Sequence, residues 1–309
     1  MDVLSDVIAI MRTGRPRSAR VEWHAPWGQR FPSAHGSAGF HVILRGSCWL
    51  TPPDGGEVTE LGVGDVIFFP HGHGYGLADS PATPLAEPPC DPLDDAALYA
   101  ADSVGHARHT TPAITLCGGY QLDPARAHPL LHDLPDLIHL PARPGQRAEL
   151  SATVELLAAE AERPRLGTDT LVPALLETLL HYILRAWFEE SPEREVGAGW
   201  AAALADPAVS AALHAVHREP DRPWTVAILA AEAGLSRAGF ARRFTATVGQ
   251  PPLAYLTWWR MTTAARLLRG TDLPLGQIAA KTGYTSEFAF AHAFKREYGT
   301  APGRYRRLG

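Results

Sequence analysis

The chain has 309 residues, 46% of them hydrophobic, and a net charge of −5, a length that suggests about two domains, each able to bury its own core. Charge divides unevenly: residues 210–309 carry 14 basic and 6 acidic side chains, net +8, whereas residues 1–209 carry 14 and 27, net −13, so a basic module able to neutralise phosphates adjoins an acidic one. Three scattered cysteines without C-x-x-C spacing exclude a disulfide scaffold or a zinc cluster, and no continuous apolar run reaches 18 residues.

At the N-terminus, MDVLSDVIAIMRTGRPR places acids before its short apolar stretch, the wrong order for a signal peptide, so a cytoplasmic protein without a membrane partner is expected. From about Val21 to Leu140 the pattern is of short β-type runs, FHVILRGSCWL (Phe40 to Leu50), DVIFFP (Asp65 to Pro70) and AITLCGGYQL (Ala113 to Leu122), broken by Gly, Pro and Asp, which predicts a sandwich or small barrel. Gly64 to Gly72 reads G-x5-P-x-G and resembles the second motif of cupins, with Asp79 where that motif usually ends in asparagine. That resemblance implies a strand and tight turn at a barrel mouth. The histidines do not complete a cupin metal set: His35 and His41 are six apart, no H-x-H precedes a glutamate there, and His71 and His73 alone lie near the second motif. His41 and His73 are therefore read as lining residues of a sensor, with no catalytic residue, metal or cofactor expected.

Residues 79–112 are rich in Pro, Asp and Ala and read as a long loop. It contains Cys90, while Cys48 falls in a predicted strand and Cys117 precedes two glycines. An accessible thiolate with a resolving thiol is the minimum for redox sensing, so all three are sensor candidates; the alternative is that they are small buried hydrophobes. Beyond Pro144 two helical stripes follow, Leu150, Val154, Leu157 and Ala161, then Leu171, Leu175, Leu179, Ile183 and Trp187. Ser191 to Gly199 reads as a hinge, and Asp206-Pro207 as an N-cap with proline at the first helical position.

The last part of the chain contains one pattern twice. Leu229-Ala230-Ala231 pairs with Ile278-Ala279-Ala280 and Gly234 with Gly283 at an offset of 49; Phe240 pairs with Phe290, Phe244 with Phe294 and Gly249 with Gly299 at an offset of 50. Each copy predicts a short helix, a glycine turn and a second helix capped by Ser236 or Ser286. Phenylalanines four apart face the core. Arg237, Ala238, Ala241, Arg242 and Thr245, and in the second copy Glu287, Phe288, Ala291, His292 and Lys295, then face outward. Between the copies Pro251-Pro252 opens a helix that Gly270 closes, so one rigid element separates two readers.

The strings WTVAILAAEAGLSRAGFARRF (Trp224 to Phe244), GQPPLAYLTWWRMTTAARLL (Gly249 to Leu268) and IAAKTGYTSEFAFAHAFKREYGTAPGRYRR (Ile278 to Arg307) resemble the DNA-binding domain of the AraC/XylS transcription regulators, and FHVILRGSCWL and LGVGDVIFFPHGHGYGLAD resemble the cupin-like sensor of one subfamily. The resemblance implies an α+β multidomain chain: a cupin-like β-barrel sensor over 1–145, a helical linker or dimerisation region over 146–199, and an all-α double helix-turn-helix domain over 206–309. It implies a sequence-specific regulator, an activator, whose partners are double-stranded DNA, RNA polymerase, a small-molecule or oxidant effector and a second copy of the chain. Arg237 and Arg242 would contact guanine edges or phosphates, Glu287 and His292 would read bases, and Lys295, Arg296 and Arg304 would hold phosphates. Phe288 would meet a thymine methyl or pack internally. Arg243, beside the stripe, reads as solvated or phosphate-facing. A metal-dependent cupin enzyme and a ligand-binding module with a protein-binding helical tail stay open as alternatives.

Overall fold

The computed structural model describes residues 2–87, 99–104, 111–122, 128–143, 145, 147–190 and 199–307. They form two compact units, one of Arg12–Ala127 with Leu134–Trp187, the other of Met1–Met11, His128–Asp133 and Phe188–Gly309. Cys90 and residues 191–198 of the expected hinge lie outside the described residues.

The first unit is built on β1 (Arg12–Trp23), β2 (Gly28–Phe31), β3 (Ser37–Arg45), β4 (Cys48–Thr51), β5 (Thr59–Leu61), β6 (Val66–Phe69), β7 (Tyr75–Ala78), β8 (Tyr99–Val104), β9 (Ala113–Leu122) and β10 (Ile138–Leu140). One sheet has the order β10-β6-β3-β9-β1-β8 and the other β2-β7-β4-β5. All pairs are antiparallel except β1 with β8. Alternate residues from both sheets meet in one core around Val21, Trp23, Ile43, Leu50, Phe69 and Leu77, as the two-residue strand period requires. The buried Trp23 indole donates to Thr115 Oγ1 at 2.9 Å. On the opposite face of the larger sheet Phe40 and Tyr120 pack with ring centroids 5.8 Å apart. Gly118 makes this possible, because a Cβ there would lie 2.7 Å from the Phe40 ring.

The cupin-like motif acts through backbone geometry. Gly64 and Gly72 take φ of +88° and +64°, a region that L side chains rarely enter. Asp65 between them ties the turn together: its carboxylate accepts from Gly62 N at 3.1 Å and Ala142 N at 2.7 Å, and His139 Nε2 lies 3.2 Å away.

Helices α3 (Ala148–Glu162) and α4 (Thr168–Glu190) complete this unit. In α3 the expected stripe of Leu150, Val154, Leu157 and Ala161 is buried. In α4 the expected stripe holds at Leu179 and Ile183, which are buried with Val172, Leu176, Leu180 and Leu184, whereas Leu175 and Trp187 are half-buried and Leu171 is exposed. The sequence is apolar along both candidate stripes, and the side that faces inward is anchored by Tyr120, whose hydroxyl donates to Leu176 O at 2.7 Å. By length and composition α4 could cross a membrane, but its buried stripe packs within the unit.

The second unit contains α1 (Val3–Met11), α2 (Pro129–His132), α5 (Gly199–Ala205), α6 (Pro207–Arg218), α7 (Val226–Glu232), α8 (Arg237–Val248), α9 (Pro252–Gly270), α10 (Leu275–Lys281), α11 (Glu287–Tyr298) and α12 (Pro302–Arg307). Besides the helices of 206–309, α1, α2 and α5 belong to the same compact body. The reason is a buried polar and aromatic cluster around Tyr255 of α9. The Tyr255 hydroxyl lies 2.6 Å from His217 Nε2 and 3.1 Å from His128 Nε2, and His217 Nδ1 lies 3.2 Å from Asp6 Oδ2. Trp200 packs on His128 at 4.7 Å and Trp259 stacks on His217 at 3.7 Å. A cut at Asp206 would strip Asp6, His128 and Trp200 from this cluster and leave buried polar atoms without partners.

Burial holds His128 well below the ordinary imidazole range, with His217 and His132 adding to the effect; burial also lowers His217, opposed by Asp6 and Asp2 and reinforced by His214. Once unfolded, both imidazoles take up protons near about 6.5, whereas in the fold they stay neutral to lower pH. Their stability contribution is therefore complete above about 6.5 and is lost as pH falls below it, by up to about 1.4 kcal/mol per pH unit for each histidine. Denaturant unfolding of the full chain between pH 8 and pH 5 should show this decline, with a shallower slope for His217→Gln; an equal slope in the variant would remove His217 from the account.

Candidate nucleic-acid interface and sensor interior

The second helix of each repeat, α8 and α11, is set by the same local devices. Ser236 and Ser286 accept from Gly239 N and Ala289 N, each at 3.2 Å, satisfying donors that the helix itself cannot pair. Gly249 and Gly299 close α8 and α11 with φ of +79° and +68°, as left-handed C-terminal caps do. Phe240, Phe244, Phe290 and Phe294 are all buried, which fixes the rotation of each helix about its axis.

The outward face follows from that rotation. Arg237, Ala238, Arg242 and Thr245 are exposed on α8 and Ala241 is half-buried; on α11 Glu287, Phe288, His292, Lys295 and Arg296 are exposed and Ala291 is half-buried, with Arg304 exposed on α12. Phe288 is 84% exposed, so the alternative in which it packs internally does not hold. An aromatic ring left in water on a helix otherwise designed to bury its aromatics is the most conspicuous apolar group on this face. Arg243 is exposed, and its guanidinium also pairs with Asp206, the residue that caps α6 through Ala208 N and Val209 N at 2.9 and 3.2 Å. It joins two helices of the unit. Thr245 donates its hydroxyl to Ala241 O at 2.8 Å, leaving chiefly its methyl and an oxygen lone pair for a ligand. The side chain of Glu287 lies against Gly276 of α10, where a Cβ would come within 2.7 Å of its carboxylate.

The sensor candidates lie in the first unit. His41 is buried on β3, its Nε2 2.6 Å from the Tyr75 hydroxyl, and its Nδ1 has no hydrogen-bond partner. Burial lowers its pKa to about 3 and pushes Tyr75 well above the phenol range, so the pair is neutral at physiological pH. Phe31 meets the His41 ring edge-on at 4.8 Å, and Phe69 stacks on Tyr75 at 3.7 Å. Cys117 lies opposite His41 in the β3–β9 register, and its thiol donates to Ala19 O at 3.5 Å. His73 is on the surface, 3.1 Å from Asp136, and His71 Nε2 is 2.9 Å from Leu134 O. Among the described residues no three His, Cys, Asp or Glu side chains converge as metal ligands do.

Cys48 is fully buried, and burial together with the Asp65 carboxylate pushes its thiol up to about 12. Because the thiolate is the reactive form, iodoacetamide at pH 8 should leave Cys48 unmodified in the native chain and alkylate it after denaturation. Mass spectrometry of the two digests reads the difference directly, and rapid native labelling would contradict this placement.

The sequence patterns located the exposed faces of α8 and α11 but missed the Asp6–His217–Tyr255–His128 cluster and the Arg243–Asp206 pair. Neither has a local signature, since Asp6 and His217 are 211 residues apart.

A cupin family model matches residues 2–189 and a helix-turn-helix domain model residues 229–308. The chain is 34% identical over 309 residues to a putative AraC-like transcription regulator of Streptomyces lividans, covering 99% of this chain and 98% of that protein. It is 30% identical over 316 residues to the transcriptional regulator AlkR of Acinetobacter baylyi, covering 99% of each chain. Among solved structures, the DNA-binding domain of AdpA in complex with a target DNA shares 33% identity over 33% of this chain and 92% of that one, with a TM-score of 0.32.

Proposed function

Because the chain belongs to the AraC-like family of DNA-binding transcription regulators, with a cupin-like domain followed by a double helix-turn-helix, we propose that α8 and α11 are its two base readers and that each serves one half-site. The observation that carries this reading is the pairing of buried phenylalanines with a polar outer face in both helices. An α-helix fits the major groove, and two such helices separated by one spacer suit grooves about one helical turn apart. Arg242 and Arg237 contact guanine edges or phosphates from α8. His292 and Glu287 read bases from α11, Phe288 supplies apolar contact to a thymine methyl, and Lys295, Arg296 and Arg304 hold phosphates.

The cupin-like half acts as the sensor, and a small molecule is the better-supported signal. His41 offers an unused ring nitrogen among aromatic side chains, whereas Cys48 is held as an unreactive thiol. The bonds that His41, His71 and His73 make to Tyr75, Leu134 and Asp136 favour structural and lining roles over catalysis. Activation through RNA polymerase, pairing of two copies and action in the cytoplasm complete the proposal, since promoter DNA is the target.

Selection of bound sequences from a random duplex pool with the full chain, followed by affinity measurements on the selected duplex, tests the reading. Log affinity should fall linearly with log salt, because phosphate contacts release counterions. Arg242→Ala should cost roughly 1 to 3 kcal/mol and relax base preference at one position of one half-site, and Phe288→Ala should relax preference for thymine in the other. Equal losses on every duplex would assign Arg242 to phosphate contact, and a flat salt response would end the reading altogether.

A further inference from the structure

Helix α9 carries one side chain that touches both halves of the reading unit. The Arg260 guanidinium donates through Nε to Pro220 O at 2.7 Å and through Nη2 to Arg222 O at 2.9 Å. Those carbonyls belong to the loop that leads into α7, the first helix of the first repeat. The other side of the same guanidinium rests on Gly283, in the turn between α10 and α11 of the second repeat. A Cβ on Gly283 would lie 2.5 Å from Nη2, 2.7 Å from Cζ and 3.0 Å from Nε. Beyond Gly283 comes Tyr284, whose ring packs edge-on against Phe290 of α11 at 5.9 Å.

The matched glycine of the first repeat shows that this is more than turn geometry. Gly234 and Gly283 take nearly the same φ, +65° and +75°, so both turns need a residue free to enter the left-handed region. A Cβ on Gly234 would meet nothing within 4 Å. Only the second turn combines the backbone requirement with close approach of a charged side chain, and that side chain spans to the first repeat. The planar fork of arginine holds two acceptors in a fixed geometry, which the single ammonium of lysine does not.

We propose that Arg260 is a positioning residue that sets the separation and rotation of α11 relative to α8, and hence the half-site spacing that the protein accepts on DNA. It touches no base itself. Each added base pair displaces a half-site by about 3.4 Å and turns it by about 34° around the duplex, so a rigid brace between the readers translates into discrimination against a shift of one pair. The proposal rests on α8 and α11 reading separate half-sites.

The test uses the full chain and three duplexes: the selected one, and versions with one base pair removed from or added to the segment between half-sites. The wild type should prefer the selected spacing by about tenfold or more, the scale on which a misplaced pair is penalised. Arg260→Gln and the milder Arg260→Lys should bind the selected duplex less tightly and reduce that preference to about threefold or less, as the shifted duplexes lose little or no affinity. A role confined to stability would lower affinity for all three duplexes by one common factor, and that result overturns the proposal. If the wild type itself ignores spacing, the two-half-site reading fails together with the brace; if the wild type discriminates and both variants discriminate equally, the brace alone fails. Should Arg260→Gln unfold, the Arg260→Lys comparison still decides. Spin labels at the exposed positions Ala246 and Glu297, with native cysteines replaced by serine, provide a readout without DNA: the interlabel distance distribution should broaden in either variant.

Discussion

Helix α9 has to satisfy two cores at once, and most of the second unit depends on that double obligation. Its first turns bury Tyr255, Leu256 and Trp259 among α1, α2, α5, α6 and α8, while Met261, Ala264, Ala265 and Leu268 pack with Ile278, Phe290 and Phe294 of the second repeat. Small residues on the later half let α10 and α11 approach closely, and large aromatic residues on the earlier half fill a wider space. A straight helix rising about 1.5 Å per residue keeps the two obligations in fixed register. This element and the arginine at its middle join the first repeat to the second.

The first unit solves a different problem. A β-core lined by Trp23, Trp27, Phe69 and Leu77 has to keep polar groups without stranding them. Trp23 and Tyr75 do so with one short bond each, to Thr115 and to His41. His41 satisfies only half of its ring, and it is among aromatic neighbours that this imbalance sits. With Ser18 Oγ and His24 Nδ1, His41 Nδ1 is one of three buried polar atoms of this unit without a hydrogen-bond partner among the described residues, and such atoms can accept an incoming polar group.

What was legible in the sequence followed from local rules. Serine caps, the glycines after α8 and α11, prolines at the first turns of α6 and α9, and phenylalanines four apart each leave a short-range pattern, and together they locate the helices and their buried faces. The strands around Phe40, Phe68 and Ile114 were visible from their apolar runs. The stripe of α4 was legible at Leu179 and Ile183 but not in the first turns, where Leu171 and Leu175 compete with Val172 and Leu176 and are as apolar as they are. Phe288 could be read either way because an exposed and a buried aromatic look alike in a string of letters. The Tyr255 cluster and the Arg260 contacts depend on residues far apart in the chain, where neither periodicity nor capping chemistry reaches.

That long reach bears on how the polypeptide matures. Helix α1 buries Val3, Val7, Ile8, Ile10 and Met11 in a body most of whose other helices, α5 to α12, are synthesised only from Gly199 onward. Its partner His217 arrives more than two hundred residues later. At about 5 to 20 residues per second, α1 waits on the order of ten seconds or more with an unclaimed apolar face. The strands synthesised in between can assemble during that interval, but the DNA-binding body closes only when α6 and α9 reach α1. Contacts of such long sequence separation slow folding, and until they form the apolar face of α1 stays in water.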